Sequence, residues 1–266
     1  MQSTRHRNIL EVLRVDGEIS LTDLAERLGV SSETVRRDIK KLADDGVVQQ
    51  VRGGVALPEV LKETAFHYCM LELVEEKRVI AALAAQQVSS GDSLIILGGS
   101  TAAYFAWELR RFRDLTVVTN SGDIARLLVT RSGNKVFMIG GLLRADNGST
   151  YGASAAEALG QFAVSSVFFS SLVHPVDGFM HDQSEDVLMI RAAIQAASRR
   201  VVMADHTKLG QRGLLRVATF SEVDLLITDR KPSADVVGNI ASTRTRLLVA
   251  DSESAAKLQV AVRNTA

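Results

Sequence analysis

Residues 19–56, ISLTDLAERLGVSSETVRRDIKKLADDGVVQQVRGGVA, constrain what this chain can fold into more than any other stretch. Ser20 precedes a run in which Leu21, Leu24, Ala25 and Leu28 recur at helical spacing. Asp23 follows Ser20 by three positions, the layout of a capping box. Gly29 ends that run, because glycine enters the left-handed region without a Cβ penalty. Ser31 or Ser32 then caps a second helix, whose inward stripe is Val35, Ile39 and Leu42. Gly46 stops it, Val47, Val48 and Val51 suggest a strand, and Arg52-Gly53-Gly54 a turn.

Helix, tight turn, helix and a glycine-tipped hairpin make a winged helix-turn-helix, a module whose second helix fits the major groove of DNA. Arg36, Arg37, Lys40 and Lys41 lie off the apolar stripe, where they can meet phosphates and base edges. Ser32 and Thr34 are short polar side chains able to enter the groove, and Arg52 offers a wing cation. Net charge does not argue for nucleic acid, since the bases of residues 1–57 face as many acids. A basic outer helix face is by itself only a solvated face. What favours DNA is the agreement of cap, glycine, stripe and cation placement.

Residues 5–57 closely resemble the N-terminal domain of DeoR-type bacterial transcriptional regulators, most tellingly in SSETVRRDIKKL and VRGGVAL. The resemblance covers nearly the whole chain, strongest at its start. It implies that a sensor domain related to ribose-5-phosphate isomerase follows, answering to a phosphorylated sugar or related metabolite.

At 266 residues the chain can hold one small domain and one larger domain with a sizeable core. A formal net charge of +0 provides no long-range field toward nucleic acid or membrane. Cys69 is the sole cysteine, so no intramolecular disulfide forms, and a reducing cytoplasm is the expected compartment. No signal core follows the N-terminus, and no run reaches the roughly 18 to 20 apolar residues that span a bilayer. The expected domains are residues 1–57, a linker at 58–74, and an effector-binding domain at 75–266.

A helical stretch at 74–88 opens the second domain. Short apolar runs at 93–97, 116–119, 135–139, 166–169, 201–204, 224–228 and 247–250 then alternate with helical segments at 102–111, 123–131, 153–162, 185–198 and 234–242. Continuous rather than alternating hydrophobicity predicts an α/β domain with a parallel sheet covered on both faces. Phe105 and Trp107 are expected in its core.

Ligands of such sheets bind beyond the carboxyl ends of the strands, where this sequence gathers small and polar residues. The first strand runs into Gly98-Gly99-Ser100-Thr101 and a helix, and a helix N-terminus favours an anion. Other strands end in Thr119-Asn120-Ser121, Gly140-Gly141 and Asp205-His206-Thr207-Lys208. Gly99, Thr101, Asn120, Gly141, Gly152, Asp205 and Lys208 match the family's pattern. Leu97 stands where the family commonly has aspartate, Ser170-Ser171-Leu172-Val173 replaces a glycine-containing stretch, and Asp186 replaces a glutamate.

The sequence therefore points to a regulator, a repressor of a carbohydrate catabolic operon whose binding to double-stranded operator DNA is controlled by a phosphorylated metabolite. Ser100, Thr101 and Lys208 are the expected anion contacts, Asp205 and Asn120 the hydroxyl contacts, with Gly99 and Gly141 lining the site. A homodimer or higher oligomer is expected, because operator recognition pairs such modules. No cofactor is implied, and the five histidines have no partners at metal-ligand spacing. The competing class is a sugar-phosphate isomerase-like enzyme with an appended DNA module, using Asp205 and Lys208 as acid–base pair.

Overall fold

The computed structural model describes residues 4–16, 18–44, 48–51, 53–56, 69–131 and 133–250. The chain forms two compact units, Met1–Ala65 and Phe66–Ala266. Most of the expected linker at 58–74 lies outside the described residues; within it, residues 69–71 form a helical turn, and Val74 opens a helix.

The first unit comprises α1 (Thr4–Asp16), β1 (Glu18–Ser20), α2 (Leu21–Leu28), α3 (Ser32–Asp44), β2 (Gln49–Val51) and β3 (Gly54–Ala56). Its strands pair antiparallel in the order β1-β3-β2. Ser20 Oγ accepts from the Asp23 amide at 3.1 Å, as the cap pattern predicts. Gly29 ends α2 at φ 63°. Of the two candidate caps for α3, Ser31 serves: its Oγ accepts from the Thr34 amide at 3.2 Å. Val35, Ile39 and Leu42 are buried with Ile9, Leu13, Leu24 and Val55, whereas Leu21 and Leu28 are half-buried. Val48 is buried just before β2, and Gly46, Val47 and Arg52 lie outside the described residues.

The second unit opens with α4 (Val74–Ala85) and is built on β4 (Ser93–Ile96), β5 (Thr116–Thr119), β6 (Lys135–Met138), β9 (Val164–Phe169), β12 (Ala197–Met203), β14 (Leu225–Thr228) and β15 (Arg246–Val249). These seven strands pair in parallel in the order β15-β14-β12-β9-β4-β5-β6. The seven apolar runs of the sequence are these seven strands. In the central strands the continuous hydrophobicity arises because alternate residues enter opposite cores, whereas edge strand β6 leaves Phe137 and Met138 exposed. Leu94, Ile96, Val117, Phe168, Val201 and Ile227 pack with α4, α5 (Ser100–Glu108) and α6 (Gly122–Val129). Ile95, Val118, Val167, Phe169, Val202 and Leu226 pack with α7 (Ala153–Gly160), α8 (Ser184–Ala196) and α9 (Ala234–Ala241). Each fully buried phenylalanine or isoleucine contributes about 1.5–3 kcal/mol.

Three features depart from the sequence expectations. Helix α8 stops at Ala196, and residues 197–198 already belong to β12, because Ala197 pairs with Val164. Short strands escaped the periodicity reading: a hairpin of β7 (Leu142–Leu143) with β8 (Thr150–Tyr151), and a small antiparallel sheet of β10 (Leu172–His174), β11 (Gly178–His181) and β13 (Leu215–Ala218). Trp107 is not a core residue. It is 59% exposed with the Arg110 guanidinium 4.2 Å over its ring, since α5 turns Phe105 and Ala106 inward and Trp107 outward.

Candidate nucleic-acid interface and effector site

On α3, Ser32, Arg36, Arg37, Lys40 and Lys41 are exposed and Thr34 is half-buried. The four cations share the face opposite the core stripe. Arg37 Nε lies 3.6 Å from a carboxylate oxygen of Glu33, one turn earlier. Thr34 Oγ1 is 2.8 Å from Ser31 Oγ, so the cap also engages this side chain. Behind the helix, Asp38 takes charge-assisted bonds from Arg5 and contacts His6 Nε2 at 3.2 Å, tying α1 to α3. The Arg5 hydrogen bond, against the opposing effect of burial, holds the Asp38 carboxyl below its ordinary range. This polar tie, which fixes the helix that carries the cations, had no signature in the spacing of apolar residues.

In the second unit the chain runs from β4 outward through β5 and β6, then returns to place β9 on the other side of β4. That reversal is a topological switch point, where open α/β sheets leave a crevice for ligands. The loop Gly98-Gly99 follows β4 there, with Gly99 as N-cap of α5 at φ 146°. Asn120 clasps this loop: its Oδ1 accepts from the Gly98 amide at 2.9 Å and its Nδ2 donates to the Thr150 carbonyl at 3.0 Å. A side chain at Gly98 would place its Cβ 2.2 Å from Ser149 Oγ. Gly141 is equally confined, since a Cβ there would lie 2.5 Å from the Tyr151 carbonyl oxygen. Asn120 and Gly141 thus shape the crevice through structural contacts.

Two hydroxyl side chains occupy the first turn of α5. Ser100 is half-buried in the first turn of α5. Thr101 beside it is 1% exposed, and its hydroxyl has no hydrogen-bond partner in the structure. A buried hydroxyl without a partner carries a desolvation cost of about 1–3 kcal/mol.

Beyond β9 and β12 the structure joins Ser170, Asp205 and Lys208. Lys208 Nζ donates to Ser170 Oγ at 2.7 Å and lies 3.7 Å from Asp205 Oδ2. Ser170 Oγ in turn donates to the Met203 carbonyl at 2.9 Å. Asp205 Oδ1 accepts from the Thr207 amide at 3.1 Å and from the Thr207 hydroxyl. Burial alone would raise the Asp205 carboxyl, but Lys208, the Thr207 donors and Lys77 together hold it below its ordinary value. Asp205 is therefore a buried, fully partnered carboxylate. Ser170 stood out in the sequence only as the start of a stretch that departs from the family's pattern, and its support of Lys208 was not foreseen.

A second polar group lies around α8. Tyr151 donates to Asp186 Oδ1 at 3.1 Å and accepts from Asn147 Nδ2 at 2.9 Å. Arg144 and His181 approach Asp186 at 3.8 and 4.0 Å. Burial pushes the Asp186 carboxyl above its ordinary value, and burial and Asp186 raise the Tyr151 phenol. Glu76, His206 and Asp229 also converge, with ligand atoms within 4.8 Å of one another. Arg230 balances that cluster, 3.6 Å from Glu76 and 3.5 Å from Asp229, while His206 Nδ1 contacts Asp229 at 2.7 Å.

A winged helix module joined to an α/β unit with a crevice at its switch point defines a DNA-binding regulator that carries a sensor. The DeoR-like helix-turn-helix domain matches residues 5–60 and the DeoR C-terminal sensor domain residues 72–230, and the chain belongs to this family. It is 32% identical to the HTH-type transcriptional repressor GlcR of Bacillus subtilis over 95% of this chain and 98% of that one. It is 29% identical to the glycerol-3-phosphate regulon repressor of Escherichia coli, over 89% of this chain and 94% of that one. Ribose 5-phosphate isomerase A of Methanocaldococcus jannaschii superposes with a TM-score of 0.37 at 18% identity, over 51% of this chain and 54% of that chain. The protein is a transcriptional regulator of the DeoR family. Among the described residues no helix is long and apolar enough to cross a membrane.

Proposed function

We propose that this protein is a repressor of a carbohydrate catabolic operon, released from its operator when a phosphorylated metabolite enters the crevice between β4 and β9. The observation that carries this reading is the partnerless hydroxyl of Thr101, buried in the first turn of α5 at that crevice. A phosphate oxygen there would accept from it, aided by the positive end of the helix. Lys208, anchored on Ser170, supplies a cation on the same rim. The relatives named as repressors, one of them of a glycerol-3-phosphate regulon, support a phosphorylated metabolite as the ligand class. Arg36, Arg37, Lys40 and Lys41 serve the operator phosphates and bases, and a two-fold pair of chains reads two half-sites. Asp205 is bonded at both oxygens, which supports binding rather than acid–base turnover.

The test combines thermal shift with DNA binding. Glycerol 3-phosphate and hexose phosphates are screened for a rise in melting temperature, which a specific ligand must produce by mass action. The stabilising compound is then titrated into a complex with the promoter nearest the gene. Release of DNA without consumption of the compound is the expected result. Turnover of a sugar phosphate in the absence of DNA would replace this reading with the isomerase one.

A further inference from the structure

The chain enters the described part of the sensor at residues 69–73, and three carbonyls of this segment are gripped by side chains that lead to the crevice. Tyr104 Oη donates to the Met70 carbonyl at 2.7 Å. Tyr104 belongs to α5, the helix whose first turn carries Ser100 and Thr101. Lys77 Nζ donates to the Glu72 carbonyl at 2.7 Å and to the Cys69 carbonyl. Lys77 belongs to α4 and is 3% exposed. Leu73, the joint between the segment and α4, is held left-handed at φ 48° and ψ 41°, a conformation that costs energy in a residue with a branched side chain and persists only when its surroundings enforce it.

The electrostatics of Lys77 connect this grip to the ligand site. Burial lowers the ammonium from its ordinary value, and the nearby charges acting on it include Asp205, which stabilises it, and Lys208, which opposes it. Asp205 is thus acted on by two cations, Lys208 at 3.7 Å and Lys77 through its Coulombic field.

We propose that residues 69–73 are the output latch of the sensor, held by Lys77 and Tyr104 in the ligand-free state and released when an anion on Lys208 leaves Asp205 to draw the Lys77 ammonium away from the Cys69 and Glu72 carbonyls. This rests on the reading of Lys208 as an anion contact. A switch needs a backbone joint able to take two arrangements and a ligand that favours one of them, and the strained Leu73 supplies the joint. Residues 57–68 join the segment in sequence to the DNA-binding unit.

Hydrogen exchange of the full chain tests this, read at the amides of residues 70–73. Without ligand, Lys77→Met should accelerate exchange there about tenfold, the effect of losing a charge-assisted bond. Lys208→Ala should accelerate it too, because Asp205 is then free to draw Lys77. Asp205→Asn should not, and the Lys77→Met/Lys208→Ala double variant should be no faster than Lys77→Met alone. Tyr104→Phe, the milder variant, should accelerate exchange severalfold at Met70 and its neighbours. The latch is overturned if Lys208→Ala leaves these amides at the wild-type rate, or if its effect survives in the Lys77→Met background. In a separate arm, excess glycerol 3-phosphate should slow exchange at 98–101 and 205–208 while accelerating it at 70–73. No slowing at those loops would refute this ligand for the crevice and leave the latch to the ligand-free comparison, whereas slowing without acceleration at 70–73 would overturn the latch.

Discussion

Lys208 Nζ donates to Ser170 Oγ at 2.7 Å, and that bond joins the loops that follow the neighbouring strands β9 and β12. Ser170 donates in turn to the Met203 carbonyl, so the lysine is fixed through it against backbone rather than left to solvent. A cation positioned before the ligand arrives spares the entropy of ordering a long side chain on binding. Ser170→Ala should therefore lower affinity for a phosphorylated ligand about tenfold, the range of a charge-assisted bond, while the melting temperature of the free protein changes little. Calorimetric titration of the two proteins measures it, and equal affinities would remove Ser170 from the site.

The pH dependence of stability should carry the mark of Asp186. Burial raises its carboxyl above the ordinary value, so between the unfolded and folded values the native state holds a proton that the unfolded chain has lost. The sign follows: this contribution is full in acid below the unfolded value and is lost as pH rises through the folded one. Asp186→Asn keeps the acceptor for the Tyr151 hydroxyl, which lies 3.1 Å away. The variant should match the wild type in acid and exceed it at neutral pH in urea unfolding. A variant weaker than wild type at neutral pH would mean that the contacts with Arg144 and His181 outweigh the burial.

How much of this was legible in the sequence depends on the range of the interactions concerned. Caps, the Gly29 stop and the Val35, Ile39 and Leu42 stripe are set within one or two helical turns, and each could be read from spacing. The central strands were legible because burial on both faces makes most of their residues apolar, and the edge strand β6 carried an apolar run although Phe137 and Met138 are exposed. The strands of the small sheet were not: Leu172–His174 and Gly178–His181 are three and four residues long, and they owe their form to pairing with each other and with Leu215–Ala218. The strand ends drew attention because small and polar residues gather there, and the structure does bring Ser170, Asp205 and Lys208 together. Individual roles were less legible, because Asn120 and Lys208 are both polar strand-end residues, and only contacts from Gly98, Thr150 and Ser170 distinguish a clasp from an anchored cation. Lys77 and Asp205 stand 128 positions apart, beyond any spacing argument.

Glu33 should act as a brake on DNA binding. It faces Arg37 at 3.6 Å on a fully solvated surface, where such a pair contributes only about 0.3–0.5 kcal/mol to the helix. Against a phosphate backbone the same carboxylate is repelled and occupies a cation. Glu33→Gln should raise affinity for operator DNA severalfold. Lys40→Ala should lower it and flatten the dependence of log K on log salt by about one unit. Fluorescence anisotropy across a salt series separates the two, and a Glu33→Gln protein with unchanged affinity would place Arg37 away from the duplex.

Gly98 should be intolerant of a side chain for one identifiable reason. A Cβ there would meet Ser149 Oγ at 2.2 Å and Ser149 Cβ at 3.2 Å, so the β4 loop could no longer close onto the clasp made by Asn120. Gly98→Ala should cost about 1–3 kcal/mol, the usual range for overpacking. Ser149→Ala removes the nearer atom and should recover much of that loss in the double variant, whereas alone it should change little. Non-additivity of this kind identifies direct contact between two sites; purely additive losses would trace the cost to the loop backbone instead.

Thr101 offers a test in which stability and affinity should move in opposite directions. Its hydroxyl is buried without a hydrogen-bond partner, at a cost of about 1–3 kcal/mol. Valine has the same shape and no hydroxyl, so Thr101→Val should raise the melting temperature of the free protein. If the hydroxyl is kept for a phosphate oxygen, the same change must weaken ligand binding, because the bound state loses a donor that the free state never used. A residue serving only the fold has no reason to show that opposition. Melting curves with and without ligand give both quantities from one preparation: a higher melting temperature with a smaller ligand-induced rise is expected, and a rise equal to wild type would move the anion away from the first turn of α5.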